Sequence, residues 1–137
     1  MSSTSQEKIK IVTEFLERIG RLDIRGAGEL LHEDAVMMLP YVDPVPDVIG
    51  KQAIIEQLEA TTPKMLEYMK FTFDEWYPTA DPNCLIVEYR SSCARRDRGG
   101  LYENSYISVF KFIGNKISLY KEYLNPLPTA ALMGNMD

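Results

Sequence analysis

The stretch Leu101–Pro126, LYENSYISVFKFIGNKISLYKEYLNP, decides the fold. Its first run, Tyr102 to Ile113, is rich in Tyr, Phe, Ile and Val, residues that fit a pleated, half-buried surface. Gly114-Asn115 supplies a tight turn, because both residues tolerate positive φ. Ile117 to Leu124 returns antiparallel and Asn125-Pro126 stops it. Side chains alternate along a strand, so each run has two faces. One face of the first run carries Tyr102, Asn104, Tyr106, Ser108, Phe110 and Phe112. The matching face of the second carries Ser118, Tyr120, Glu122 and Leu124. Glu122 is then the single carboxylate among tyrosines, an amide and phenylalanines. The opposite face carries Ile107, Val109, Ile117, Leu119 and Tyr123, too apolar to be left in water.

Upstream, Thr4 and Glu7 have capping-box spacing, and Ile9, Val12, Phe15, Leu16 and Ile19 form one helical stripe that Gly20 closes. A second, shorter helix is expected over Ile24–Leu31, with Leu30 and Leu31 packing inward. Ala35–Leu39 reads as a short strand, and residues 40–47 as a loop pre-ordered by three prolines. Gly50 opens a third helix with Ile54, Ile55 and Leu58 on its apolar face, ended at Thr61-Thr62-Pro63. Strands are expected over Phe71–Tyr77 and Leu85–Ala94, joined by an Asp81-Pro82-Asn83 turn. A short helical tail follows Pro128. Helices gathered before an antiparallel meander indicate one α+β domain over residues 1–137. A curved antiparallel sheet with the helices across its mouth forms a cone with an internal pocket, a natural ligand site.

The bulk properties narrow the function. The 137 residues are 45% hydrophobic and 26% charged, which excludes a disordered chain. The net charge of −5 argues against nucleic acid or an anionic membrane as partner. No apolar run approaches the roughly 20 residues of a membrane span, and MSSTSQEK leads into no signal segment, so a cytoplasmic location is expected. Cys84 and Cys93, if on one strand, lie roughly 30 Å apart and read as free thiols. The one histidine, His32, sits beside Glu33-Asp34, an acidic turn that reads as a solvated helix end; no metal motif is present.

The chain resembles the nuclear transport factor 2-like superfamily, which has a cystatin-like fold. Within it the chain is most similar to the SnoaL-like branch of polyketide cyclases, ketosteroid isomerase and the phenazine-biosynthesis A/B proteins. The phenazine proteins carry similar patterns to Glu103-Asn104-Ser105-Tyr106-Ile107 and to Glu122-Tyr123-Leu124-Asn125-Pro126. The resemblance implies an acid/base role for Glu122, in agreement with the strand-face reading. The relatives' pocket histidine falls near Thr72 and is absent, and the acid that ketosteroid isomerase uses in its oxyanion hole falls on Ser108. The Asp-Pro-Val letters that carry that enzyme's base recur at Asp43-Pro44-Val45, several residues further along, making Asp43 a second candidate.

Together these readings point to a cofactor-independent acid/base enzyme of isomerase, cyclase, dehydratase or condensation type, acting on a largely apolar carbonyl or cyclic metabolite. Glu122 and Asp43 are the candidate catalytic residues. Tyr41, Asn104, Tyr106, Ser108, Tyr120 and Trp76 are candidates for the substrate pocket. Each has a plainer reading beside it. Glu122 pairs with Lys121 or Lys116, Asn104, Tyr106 and Tyr120 form a core polar network, and Trp76 fills the core or a dimer interface. The alternative function is a non-catalytic small-molecule binding protein on the same fold. No metal or other cofactor is expected, and the apolar outer sheet face predicts a homodimer. The sequence names neither substrate nor reaction.

Overall fold

Helix α1, Ser3–Gly20, forms along the expected stripe, with Val12, Phe15, Leu16 and Ile19 buried. This comes from a computed structural model that describes residues 3–42, 45–97 and 99–134. Gly20 closes the helix against β3, Leu66–Pro78, where a Cβ would collide with the Met69 carbonyl. Helix α2 is shorter than expected, Ile24–Gly28, and Asp23 caps it by accepting from the Gly26 N–H. Leu31, expected in that helix, instead opens strand β1, Leu31–Met38, and is buried there. Two glycines in the short helix lower its propensity, and strand pairing takes over.

After the loop, β2, Val48–Ile49, pairs antiparallel with β1. Helix α3 runs Lys51–Met65, through Pro63 rather than stopping before it. In the last turn a proline removes only one backbone bond. Thr62 is buried there, and Met65 packs on Leu66, Cys93, Tyr102 and Leu132, which hold the turn helical. Strands β3, β4 (Cys84–Arg95), β5 (Leu101–Ile113) and β6 (Lys116–Leu124) form the expected antiparallel meander. Strand β1 adds to the far side of β6 in parallel, giving the order β2-β1-β6-β5-β4-β3 in one curved, unclosed sheet. Helix α4, Pro126–Gly134, ends the described chain. Cys84 and Cys93 both lie on β4 and are free. No helix is long and apolar enough to cross a membrane.

The β5–β6 hairpin turns at Gly114, whose φ is 59°. Its face assignment needs one correction. Lys111 pairs with Leu119 while Phe112 pairs with Ile117, so Ser118 is an extra residue in the ladder. The bulge swaps the faces on its far side, placing Ile117 fully in the core instead of on the outer face. Beyond the bulge, Tyr120, Glu122 and Leu124 face inward with Phe110, Ser108 and Tyr106, as the alternation requires.

Candidate active site

A cavity of about 150 Å³ lies between the inner face of this sheet and the helices. Its helical wall comes from α1, α3 and α4, through Leu16, Leu58, Met65 and Leu132 among others. Its sheet wall carries Met37, Phe71, Tyr102, Tyr106, Tyr120 and Glu122. Among the described residues, Glu122 is the only charged side chain that lines it.

Glu122 is 9% exposed, and its surroundings are set by strand register. Pairing of β5 with β6 puts Ser108 opposite Glu122, and pairing of β4 with β5 puts Tyr89 opposite Tyr106. The Tyr89 hydroxyl then donates to Glu122 Oε1 at 2.6 Å, and the Tyr120 hydroxyl donates to the same oxygen at 2.8 Å. The Tyr89 oxygen also meets Ser108 Oγ at 2.7 Å. No described residue hydrogen-bonds Oε2, and no cation among the described residues pairs with the carboxylate: Lys116 donates to the Glu29 carbonyl and Lys121 lies over the Tyr123 ring. Burial raises the Glu122 pKa above its ordinary value, and the two phenol hydrogen bonds hold part of that rise back. Burial and the neighbouring Glu122 charge push the Tyr89 and Tyr120 phenols well above their ordinary range, so both remain donors.

The rings around the carboxylate are fixed by packing. Phe110 stacks on Tyr120 at 5.1 Å between centroids, and Phe15 of α1 meets Tyr120 edge-on at 5.3 Å. Tyr106 stacks on Tyr89 at 4.8 Å, and its hydroxyl lies 2.6 Å from Ser91 Oγ. Burial raises the Tyr106 pKa as well.

The structure brings together three of the sequence candidates, Glu122, Tyr106 and Tyr120, in the cavity wall. The other four described candidates stand elsewhere. Ser108 is fully buried behind Glu122 and serves Tyr89. Trp76 stacks on Phe73 at 5.4 Å and does not line the cavity. Tyr41 is 58% exposed, edge-on to Tyr123, in an outer cleft whose wall shares Val42, Thr129 and Met133 with the cavity. Asn104 is a structural tie. Its Nδ2 donates to Tyr102 Oη, the Asn125 carbonyl and Thr129 Oγ1, while its Oδ1 accepts from the Ser105 and Asn125 N–H groups. Asp43 lies outside the described residues. Thr72, at the relatives' histidine position, is exposed and off the cavity. His32 lies on β1 rather than at a helix end, because strand pairing begins at Leu31, and its Nδ1 accepts from the Asp34 N–H. The described residues contain no group of three or more His, Cys, Asp or Glu placed to hold a metal ion.

Sequence reasoning missed Tyr89 as the main partner of Glu122. The pairing of β4 with β5, which sets Tyr89 opposite Tyr106, brings it to the carboxylate. It also missed Gln57 and Thr62, which line the cavity from α3.

The sequence profile of the SnoaL-like domain matches residues 12–120, and the chain belongs to that family. An uncharacterized PhzA/B-like protein of Pseudomonas aeruginosa is 28% identical, over 93% of this chain and 91% of its own. The uncharacterized protein YesE of Bacillus subtilis is 30% identical, over 94% of this chain and 88% of its own. A crystal structure of a Bacillus subtilis protein provisionally named an isomerase superposes with a TM-score of 0.87 at 28% identity, covering 97% of this chain and 96% of that one.

Proposed function

We propose that the protein is an acid/base enzyme acting on a small, largely apolar carbonyl or cyclic metabolite, with Glu122 moving the proton. The observation that carries this is a lone carboxylate in an otherwise uncharged cavity wall, one oxygen held by two phenols and the other open. Burial raises the Glu122 pKa, which makes the carboxyl a stronger base than a solvated glutamate once it is ionised. Glu122 as carboxylate takes a proton from the carbon beside a carbonyl, and the C–H electron pair moves onto the carbonyl oxygen. The resulting carboxylic acid returns the proton at another carbon of the same conjugated system, and the electrons flow back. Tyr106 is placed to stabilise the oxygen that gains charge. Either hydroxyl of the Ser91–Tyr106 pair can donate, and when Ser91 does, the Tyr106 proton is available to the substrate.

No second charged group lines the cavity among the described residues, which favours a reaction that begins and ends with one proton on one carboxyl, an isomerisation. The name of the Bacillus subtilis structure agrees in class. The same observation also supports the second reading, a binding protein without turnover. Small cyclic ketones in D2O, followed by proton NMR, separate the two. The enzyme reading expects accelerated exchange of the hydrogens beside the carbonyl, lost in Glu122→Gln. Ketones that bind without accelerated exchange would establish the binding module instead.

For assembly, we propose a two-fold homodimer through the outer sheet face. Ile107 is 40% exposed there, and Val109, Leu119 and Tyr123 are partly exposed. Sedimentation as a monomer at micromolar concentration would refute it.

A further inference from the structure

The cavity constrains what it takes by size, charge and polar pattern. A volume of about 150 Å³ matches the space that holds one benzene ring, and is far short of a fused multi-ring skeleton. No cation lines the cavity among the described residues, and an anionic ligand would meet Glu122 as a like charge.

The polar pattern is set on α3. Thr61 uses its hydroxyl within the helix, donating to the Gln57 carbonyl at 2.9 Å. Thr62 and Gln57 do not. Thr62 is only 8% exposed, yet its hydroxyl has no hydrogen-bond partner among the described residues, and neither has the Gln57 side-chain amide. Among the described residues no buried side-chain nitrogen or oxygen lacks a partner, so these two groups reach the open space of the cavity, where a bound ligand can pair with them. These two groups belong to the helical wall and Glu122 to the sheet wall. The cavity therefore offers hydrogen bonds from two walls with apolar surface elsewhere.

We propose that the occupant is a neutral, single-ring metabolite with two oxygen functions, one carried at Glu122 and the other bonded by Gln57 and Thr62, which act as specificity-determining residues. The inference rests on the acid/base reading only for the first oxygen being a carbonyl. Ring size and the second contact stand apart from it. Gln57 offers both a donor and an acceptor, and Thr62 a hydroxyl, so a ligand hydroxyl or carbonyl satisfies them equally.

The test is NMR titration of the full chain with cyclohexanone, the hydroxycyclohexanones, their methyl counterparts, a two-ring decalone, a steroid ketone, benzoate and cyclohexylamine at neutral pH. The wild-type protein is expected to bind at least one hydroxycyclohexanone roughly tenfold more tightly than its methyl counterpart, the share of one hydrogen bond. Gln57→Leu with Thr62→Val, a nearly isosteric pair checked for fold by circular dichroism, should abolish that preference. The steroid ketone and benzoate should not compete. A steroid ketone or cyclohexylamine bound more tightly than every neutral one-ring probe would overturn the proposal. So would a hydroxyl preference that is absent in the wild type or survives both substitutions. Titrating Glu122→Gln in parallel keeps the two readings distinct: a one-ring limit and hydroxyl preference that persist there, without hydrogen exchange in the wild type, refute the enzyme reading and leave this one standing.

Discussion

Two polar clusters share the inner face of β5 and β6, and they are built to opposite rules. Around Asn104, every hydrogen-bonding atom of the amide is occupied by protein: the Asn125 backbone, the Ser105 N–H, Tyr102 and Thr129. That cluster ties the end of β6 and the start of α4 to β5. Around Glu122, two phenols converge on one carboxylate oxygen, and the other oxygen has no hydrogen-bond partner among the described residues. Both residues are buried to a similar degree, so burial does not tell them apart. The open hydrogen-bonding capacity does. A saturated buried cluster is architecture, while an unsaturated one beside a cavity is a place for a ligand.

The sharpest way to break this contrast is to exchange the key residue of each cluster. Glu122→Gln should lower catalysed hydrogen exchange by roughly 10²–10⁴-fold, because an amide cannot carry the proton. Its carbonyl oxygen can still accept from Tyr89 and Tyr120, so the melting temperature should hold or rise. Asn104→Ala should do the reverse. Thermal or urea denaturation should show a loss of about 2–3 kcal/mol from the stranded partners, with exchange chemistry retained by the folded fraction. Loss of exchange in Asn104→Ala, or loss of several kcal/mol in Glu122→Gln, would erase the distinction.

Tyr89→Phe sharpens the comparison at smaller cost, about 1–2 kcal/mol for one buried hydrogen bond and a stranded Ser108 hydroxyl. It removes a donor that favours the charged carboxylate, so the Glu122 pKa should rise further. The exchange-rate profile should then need a higher pH to reach its plateau. A profile that stays in place would show that Tyr89 packs without tuning.

Much of this was legible in the chain. Alternation alone put Tyr106, Tyr120 and Glu122 on one face, since the β5–β6 turn is short and glycine-led. Alternation failed at Ile117, because a one-residue bulge at Ser118 leaves no mark in the letters and reverses the faces on its far side. Tyr89 was not legible as a partner of Glu122, because that contact spans two ladders whose registers are fixed only in three dimensions. Gln57 and Thr62 were hidden for another reason. The apolar residues of α3 describe its core face, and the helix was ended before Pro63, while tertiary packing carries it to Met65. Asn104 and Ser108 were read as pocket residues because strand alternation gives the face and not the depth.

Glu122 is a buried carboxyl with no cation beside it among the described residues, and burial raises its pKa. Its linkage to folding has a definite sign. A carboxyl whose folded pKa lies above the unfolded value leaves stability full below the unfolded pKa. Stability is then lost as pH rises through the window up to the folded value. Carbon-13 NMR titration of the Glu122 carboxyl carbon, assigned by its disappearance in Glu122→Gln, measures this directly. The expected result is an inflection above the ordinary glutamate range, with a fall in stability across the same interval that the variant lacks. An inflection at or below the ordinary glutamate value, with no difference in the pH dependence of stability, would contradict it.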